Sequence, residues 1–350
     1  MSGFTSIVLT CLVFFIIYQI AKASELAAIL RGEEKSKAQV NRLMAWLLVA
    51  FFVLGLYGLY ECHVYLTAPK FMLPVSASQH GVQYDSMFTI TLIVTGIVFF
   101  LTQALLFWFA FKYQSTEKRT SFFYPHNNKL ELLWTTIPAI AMFVLVVIGL
   151  KNWNTMTDEA PKDAMVVEVV GKQFNWIVRY PGADGELGKR DFRIINDVNN
   201  VLGQDWNDKS NLDDIVLQNG ELHIVKDKPV KLIIGSRDVI HDVGLPHFRM
   251  KMDAVPGIIT TMWFTPLYTT AEMKEITGNP DFVYEISCDQ MCGKGHYSMR
   301  GTVIVHTQEE YDAWIKEQQS YYAMNNADAA APAENNAEHA VDSVNVVTMK

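Results

Sequence analysis

The chain has 350 residues, half of them hydrophobic, with 37 Asp and Glu against 29 Lys and Arg, for a formal charge of −8. That length allows one large domain or two ordinary ones. The acidic balance, with no basic patch, excludes a nucleic-acid-binding surface; an acidic soluble part would instead attract a basic partner.

Four apolar runs, 4–21, 44–60, 88–111 and 132–150, come first and carry almost no charge. Each approaches the roughly 20 residues that cross a bilayer as a helix. The linker 31–43 holds Arg31, Lys35, Lys37 and Arg42, and the linker 112–130 holds Lys112, Lys118, Arg119 and Lys129. Positive loops stay inside. Both linkers are therefore expected in the cytoplasm, and the N-terminus, the 61–87 loop and everything after 151 outside. Ala21-Lys22-Ala23 resembles a signal-peptide cleavage site, but Met1 to Ser6 carry no positive side chain, so the first run reads as a retained span. Glu61, Cys62 and His63 cluster at a span end and read as interfacial residues without metal.

After residue 160 the pattern changes to short β-rich runs at 165–170, 176–180, 223–225, 230–234, 261–264, 283–286 and 302–305. Turn signals such as Pro181-Gly182, Asn219-Gly220 and Pro256-Gly257 separate them. Short strands at this spacing predict a β-sandwich. A terminal helix is expected over 308–319. The stretch after about Asn325, rich in Ala, Asn and acidic residues, reads as disordered. Asp205, Asp208, Asp213 and Asp214 form an acidic stretch that reads as a solvated loop, with a docking surface for a basic cytochrome as the sharper alternative.

Chemistry concentrates in Cys288-Asp-Gln-Met-Cys292-Gly-Lys-Gly-His296-Tyr-Ser-Met299. Two thiolates, an imidazole and a thioether stand at offsets 0, 4, 8 and 11. Zinc sites are seldom closed by Met, whereas a Cys, His and Met set is the copper electron-transfer pattern. A disulfide and a zinc site are the competing readings. Two sulfurs can bridge a copper pair with a His at each end. His296 is one; His241 is the best candidate for the other, at the end of a strand and extension over 230–240, and His247 competes. His223 and His306 read as non-ligands.

The segment 288–299 resembles the dinuclear copper (CuA) loop of cytochrome c oxidase subunit II. So does Asp238-Val-Ile-His241 followed by Lys251-Met-Asp253-Ala-Val-Pro256-Gly257. Glu131-Leu-Leu-Trp134-Thr-Thr-Ile-Pro138-Ala139 and Gly171-Lys-Gln173-Phe174-Asn-Trp176 are similar to two further stretches of that family. The resemblance covers roughly residues 88–320. It implies N-terminal transmembrane helices followed by an all-β, cupredoxin-like Greek-key sandwich. The expected divisions are 1–62 (two extra spans and a cytoplasmic loop), 63–153 (a transmembrane hairpin), 154–322 (a periplasmic CuA domain) and 323–350 (a disordered tail).

By resemblance, Cys288 and Cys292 match bridging thiolates, His241 and His296 terminal imidazoles, and Met299 an axial thioether. Gln290 matches the position whose backbone carbonyl is the remaining ligand. Many members have Glu there, whose side chain helps hold a magnesium near subunit I; here that magnesium rests on an amide. Phe174 stands where the family often has an exposed Trp for electron entry, with Trp176 two residues on. Glu131 matches a glutamate at the mouth of a proton channel.

The implied function is subunit II of a terminal oxidase in the bacterial inner membrane. It would take electrons from cytochrome c and pass them to a haem-bearing subunit I, which reduces oxygen and translocates protons. The chain has no haem-attachment motif of its own. The alternatives are the CuA subunit of a nitric oxide reductase and a non-catalytic membrane copper-binding module.

Overall fold

The computed structural model describes residues 3–67, 73–116 and 119–326. Lys118 of the second basic linker and the part of the expected tail from 327 onward lie outside the described residues.

The four apolar runs form helices α1 (Gly3–Arg31), α2 (Glu33–Cys62), α3 (Gln79–Lys112) and α4 (Asn128–Thr157). All four are long and apolar enough to cross a membrane. They are longer than the apolar runs alone because nothing in their polar flanks breaks a helix. Pro138 sits within α4. Aromatic side chains join α2 to α3: Trp46 meets Phe111 edge-on at 5.1 Å, and Phe52 lies 5.1 Å from Phe107. Outward faces carry Leu, Ile, Val and Phe, as lipid contact requires. A π-helical turn, His63–Thr67, follows α2 and begins at the His of the Glu61–His63 cluster.

The second unit, Leu73–Met87 with Val147 onward, contains the β domain. Its strands are β1 (Met165–Lys172), β2 (Asn175–Tyr180), β3 (Ile215–Leu217), β4 (Glu221–Val225) and β5 (Val230–Ser236). They continue as β6 (His241–Leu245), β7 (Met250–Ala254), β8 (Thr260–Phe264), β9 (Tyr284–Cys288) and β10 (Arg300–His306). Two five-stranded sheets result, ordered β3-β2-β1-β5-β8 and β4-β10-β9-β6-β7. Pairing is mixed: β1 runs parallel to β5 and β10 parallel to β4. Val167, Val169, Val178, Leu232 and Ile234 of the first sheet and Leu222, Ile224, Ile286 and Val303 of the second are buried in one common core.

Strands β3, β6 and β7 were not anticipated. β3 is three residues long, and β6 and β7 contain Asp, Gly, Lys and Met, which weaken a strand signal. His241 consequently opens a new strand; β5 ends at Ser236. Helices α5 (Thr270–Thr277) and α6 (Gln308–Glu317) both start with a capping box, Thr269 with Glu272 and Thr307 with Glu310. A short α7 (Tyr321–Asn325) runs past residue 323, where disorder was expected. Tyr321 is buried there and Trp206 packs on Tyr322 at 5.2 Å, so packing rather than composition decides.

The segment before α3 is clasped to the β domain. Ala77 N–H donates to the His247 carbonyl at 2.7 Å, and Ser78 Oγ–H to the Phe248 carbonyl at 2.6 Å. Arg249 holds Asp85 with two hydrogen bonds of 2.9 Å. Beyond the end of α4, the Asp158 carbonyl accepts from Trp263 Nε1 at 2.9 Å.

The acidic stretch is largely consumed within the fold. Asp214 is buried and bound by Arg179, which also pairs with Glu168 at 3.0 Å. Asp208 caps a turn and accepts from Lys189 N–H at 3.0 Å, Asp205 accepts from Asn207 N–H, and Asp213 from Asp184 N–H. A buried charge survives only when paired, and Arg179 supplies that partner.

Candidate metal centre

Strands β9 and β10 are antiparallel, with Arg300 opposite Ser287. The Cys288 N–H donates to the Met299 carbonyl at 3.1 Å, closing the loop between them. Residues eleven apart in sequence thus meet at one sheet end. Strand β6 pairs with β9 on the other side, Val243 opposite Cys288. His241 lies two residues from Val243 and so shares its face, toward the core. A one-turn 3₁₀ helix, His296–Ser298, turns the loop back.

The donors converge. Cys288 Sγ and Cys292 Sγ are 3.7 Å apart and both cysteines are free. His241 Nδ1 is 3.8 Å from Cys288 Sγ, and His296 Nδ1 is 3.7 Å from Cys292 Sγ. Met299 Sδ is 3.8 Å from Cys292 Sγ, and the Gln290 carbonyl is 3.1 Å from Cys288 Sγ. Metal–donor bonds of about 2.0–2.3 Å, as in tetrahedral thiolate–imidazole sites, set neighbouring donors about 3.3–3.8 Å apart. The four spacings among the sulfurs and imidazole nitrogens fall in that range, so these residues fit a soft transition metal. Among the described residues, His241, Cys288 and Cys292 are the one group of three His, Cys, Asp or Glu donors within mutual reach of an ion.

Neighbouring groups fix the ligand poses. Asp238 Oδ1 lies 2.8 Å from His241 Nε2, and Asp238 Oδ2 accepts from the Gln173 N–H at 2.8 Å. Gln173 Nε2 donates to the Cys292 carbonyl at 2.6 Å. Partial burial would raise the Asp238 carboxyl, but the hydrogen bonds from Gln173 and His241 outweigh it and hold it low. Burial, reinforced by Cys288, pushes the Cys292 thiol up to about 11. Metal binding would therefore displace a proton.

Two glycines make room. A Cβ on Gly171 would come within 2.6 Å of the His241 ring, so only glycine lets β1 pass it. Gly293 has φ +133°, and a Cβ there would meet Gln173 at 2.9 Å and the Phe174 ring at 3.2 Å. Gly171, Gln173 and Asp238 were quoted in the sequence as family matches without a role. Gly171 directly follows the 165–170 run expected as a strand, and the structure extends β1 through it to Lys172.

The remaining candidates separate. His247 lies in the Pro246–Phe248 turn beyond the far end of β6, between Phe282 and Tyr284, where burial lowers it to about 4. His223 and His306 bond each other at 2.8 Å. Trp176 is fully buried, its ring 6.1 Å from His241, and so presents no surface to a partner. It is core because β2 alternates its side chains and this one points between the sheets. Phe174 is 40% exposed. Gln290 is exposed; it offers an amide, and Asp289 beside it is bonded to Ser287 Oγ at 2.9 Å. Glu131 lies in the first turn of α4, outside this unit.

Residues 66–152 match the family model described as cytochrome c oxidase subunit II, transmembrane domain, and residues 165–307 that of the same subunit's periplasmic domain. The helices α1 and α2 lie wholly before both matches. The alternative cytochrome c oxidase subunit 2 of Bradyrhizobium diazoefficiens is 32% identical over 272 residues, covering 78% of this chain and 92% of that one. Cytochrome c oxidase subunit 2 of Thermostichus vulcanus is 27% identical, covering 71% and 79%. The crystal structure of the periplasmic domain of cytochrome oxidase subunit II from Bradyrhizobium japonicum is 24% identical, with coverage of 45% and 95% and a TM-score of 0.31. By its two family matches and by a relative aligned over nearly its whole length, the chain belongs to the cytochrome c oxidase subunit II family.

Proposed function

We propose that this chain is the electron-entry subunit of a terminal oxidase. It holds a dinuclear copper centre on Cys288, Cys292, His241, His296 and Met299, with the Gln290 carbonyl completing the set. It takes electrons from a c-type cytochrome on the outer side of a bacterial inner membrane. It passes them to a haem-bearing subunit I that reduces oxygen and translocates protons. The observation that carries this reading is the pair of free sulfurs 3.7 Å apart, each with its own imidazole nitrogen at 3.7–3.8 Å.

A bound copper pair supplies a one-electron store spread over two metals and two sulfurs. The chain's own part is to keep the ligands still. Strands β6, β9 and β10 hold His241, Cys288 and Met299 from both sides, as pre-organised sites require. Asp238 orients the His241 ring, and Gln173 pins the Cys292 carbonyl. Phe174, exposed and lying against Gly293 and Gly295, is the entry contact. Trp176 backs His241 from inside. Glu131 collects protons from the cytoplasmic side. Gln290 is assigned its carbonyl alone, because a hard cation prefers carboxylate oxygens.

Paramagnetic resonance on the purified, copper-loaded full chain tests the centre. A signal with one unpaired electron shared by two copper nuclei is expected, lost in both Cys288→Ser and Cys292→Ser. A single-copper signal overturns the dinuclear assignment.

A further inference from the structure

A cavity of about 910 Å³ opens among the start of α3, the end of α4 and strands β5, β7 and β8. That is the size of a small-molecule site, about 300–1,000 Å³. All its lining residues belong to the unit Leu73–Met87 with Val147 onward. Two clasps wall it. Arg249 is committed to Asp85 and to the carbonyls of Pro74 and Pro246, and the Trp263 ring to the Asp158 carbonyl. Met87, Met156, Met250 and Met252 supply an apolar, deformable lining. Tyr84 near the start of α3 and Trp153 near the end of α4 line it too, and both are exposed. Such rings sit at the headgroup level of a bilayer, so the cavity stands at the outer membrane surface.

Charged groups of both signs line it. Lys231 lies between Val166 and Trp263 on its neighbouring strands, with no acid opposite it in either register. Lys251 lies opposite Gly244, with Asp253 two residues on, Asp242 opposite that, and Asp289 packed over Gly244. Its field is therefore shared with acids outside the cavity, and Lys231 is the stronger of the two anion sites. Asp158 and Glu159 are exposed and line the same cavity, and the Asp158 carboxylate accepts from the Glu159 N–H at 2.9 Å. Among the described residues, Lys231, Lys251 and Glu159 make no ion pair.

We infer that this cavity holds the headgroup of a zwitterionic phospholipid of the outer leaflet, with its phosphate on Lys231 and Lys251 and its ammonium on Glu159 and Asp158. The acyl chains leave past Met87 and Trp153 toward the bilayer. The charges select an ethanolamine headgroup. A primary ammonium gives charge-assisted hydrogen bonds to a carboxylate, whereas the quaternary ammonium of choline has no N–H to give. A glycerol headgroup carries net negative charge and would set its phosphate against both carboxylates without a cation between them. A purely apolar ligand would cover all four charged groups and pair none of them. The site is separate from the copper centre, and its test does not depend on electron entry.

The test is native mass spectrometry of the purified oxidase, exchanged into detergent with equimolar phosphatidylethanolamine, phosphatidylcholine and phosphatidylglycerol. Lipid retained elsewhere on the complex cancels in the difference between each variant and the unmodified oxidase. Lys231→Gln should lower retention of one phosphatidylethanolamine about fivefold, the size expected for an exposed ion pair. Glu159→Gln should remove the preference for phosphatidylethanolamine over phosphatidylcholine at that site. Both side chains lie outside the hydrophobic core, so the variants should fold. Excess water-soluble phosphoethanolamine should not displace the lipid; displacement would reassign the site to free phosphate esters and overturn the inference. Unchanged lipid counts in both variants also overturn it. So does a photo-crosslinker at position 231 that captures another oxidase subunit in place of lipid.

Discussion

Asp238 Oδ1 stands 2.8 Å from His241 Nε2, while His241 Nδ1 faces Cys288 Sγ at 3.8 Å. The carboxylate accepts a hydrogen bond from Nε2–H, which keeps the proton on Nε2 and leaves the Nδ1 lone pair for a metal. The outer partner thereby fixes both tautomer and ring angle. Asp238→Asn offers an amide of the same shape without the charge. Copper retention against a chelator should fall about 10- to 100-fold, with fold intact by circular dichroism. Undiminished retention would mean that packing against Gly171 and Trp176 alone orients the ring.

Trp176 and Phe174, two residues apart, should respond in opposite ways. Trp176 is fully buried, and truncating a buried Trp costs about 3–5 kcal/mol. Trp176→Ala should lower the unfolding temperature and release copper. Phe174→Ala should keep the copper spectrum while slowing its reduction by cytochrome in stopped flow. A well-folded, copper-replete Trp176→Ala with slow reduction alone would contradict the assignment of Trp176 to the core.

Acid should loosen α6. Burial, then the neighbouring His306, lowers His223 to about 4, and burial lowers His306 as well. His223 stacks on Trp314 of α6 at 3.9 Å. A histidine whose folded pKa lies below its unfolded value of about 6.5 stabilises the fold above that pH. The contribution is lost as pH falls through 6.5 toward 4. Hydrogen exchange of α6 amides, corrected for intrinsic rate, should accelerate between pH 7 and 4.5. His223→Phe keeps the stack but removes the titration and should flatten the dependence; an unchanged slope would assign it to other groups.

Glu131 Oε1 accepts from the Asn127 N–H at 3.3 Å, and Asn127 Oδ1 accepts from the Leu130 N–H at 3.1 Å. The carboxylate therefore has a capping role at the start of α4, which Gln can also fill. Glu131→Gln separates capping from proton uptake. Oxygen consumption by the purified oxidase should slow in Glu131→Gln as much as in Glu131→Ala, with the copper spectrum unchanged. Normal turnover in Glu131→Gln would leave Glu131 only its cap.

The sequence by itself determined the four membrane-length helices, because about 20 apolar residues in a row have few other stable uses. It also determined most of the copper-type donor set, because Cys288, Cys292, His296 and Met299 lie within twelve residues and their spacing is readable without a fold. The sequence already favoured His241 over His247 by resemblance; tertiary structure added the physical separation, since the two are six residues apart yet stand at opposite ends of β6. It buried Trp176, exposed Phe174, and turned Asp214 inward to Arg179. The reason is common to all three. Which face of a strand is covered, and which charge meets a partner, depends on pairing with residues far along the chain: β6 against β9, β1 against β5, Arg179 against Asp214. Local composition carries no record of those neighbours.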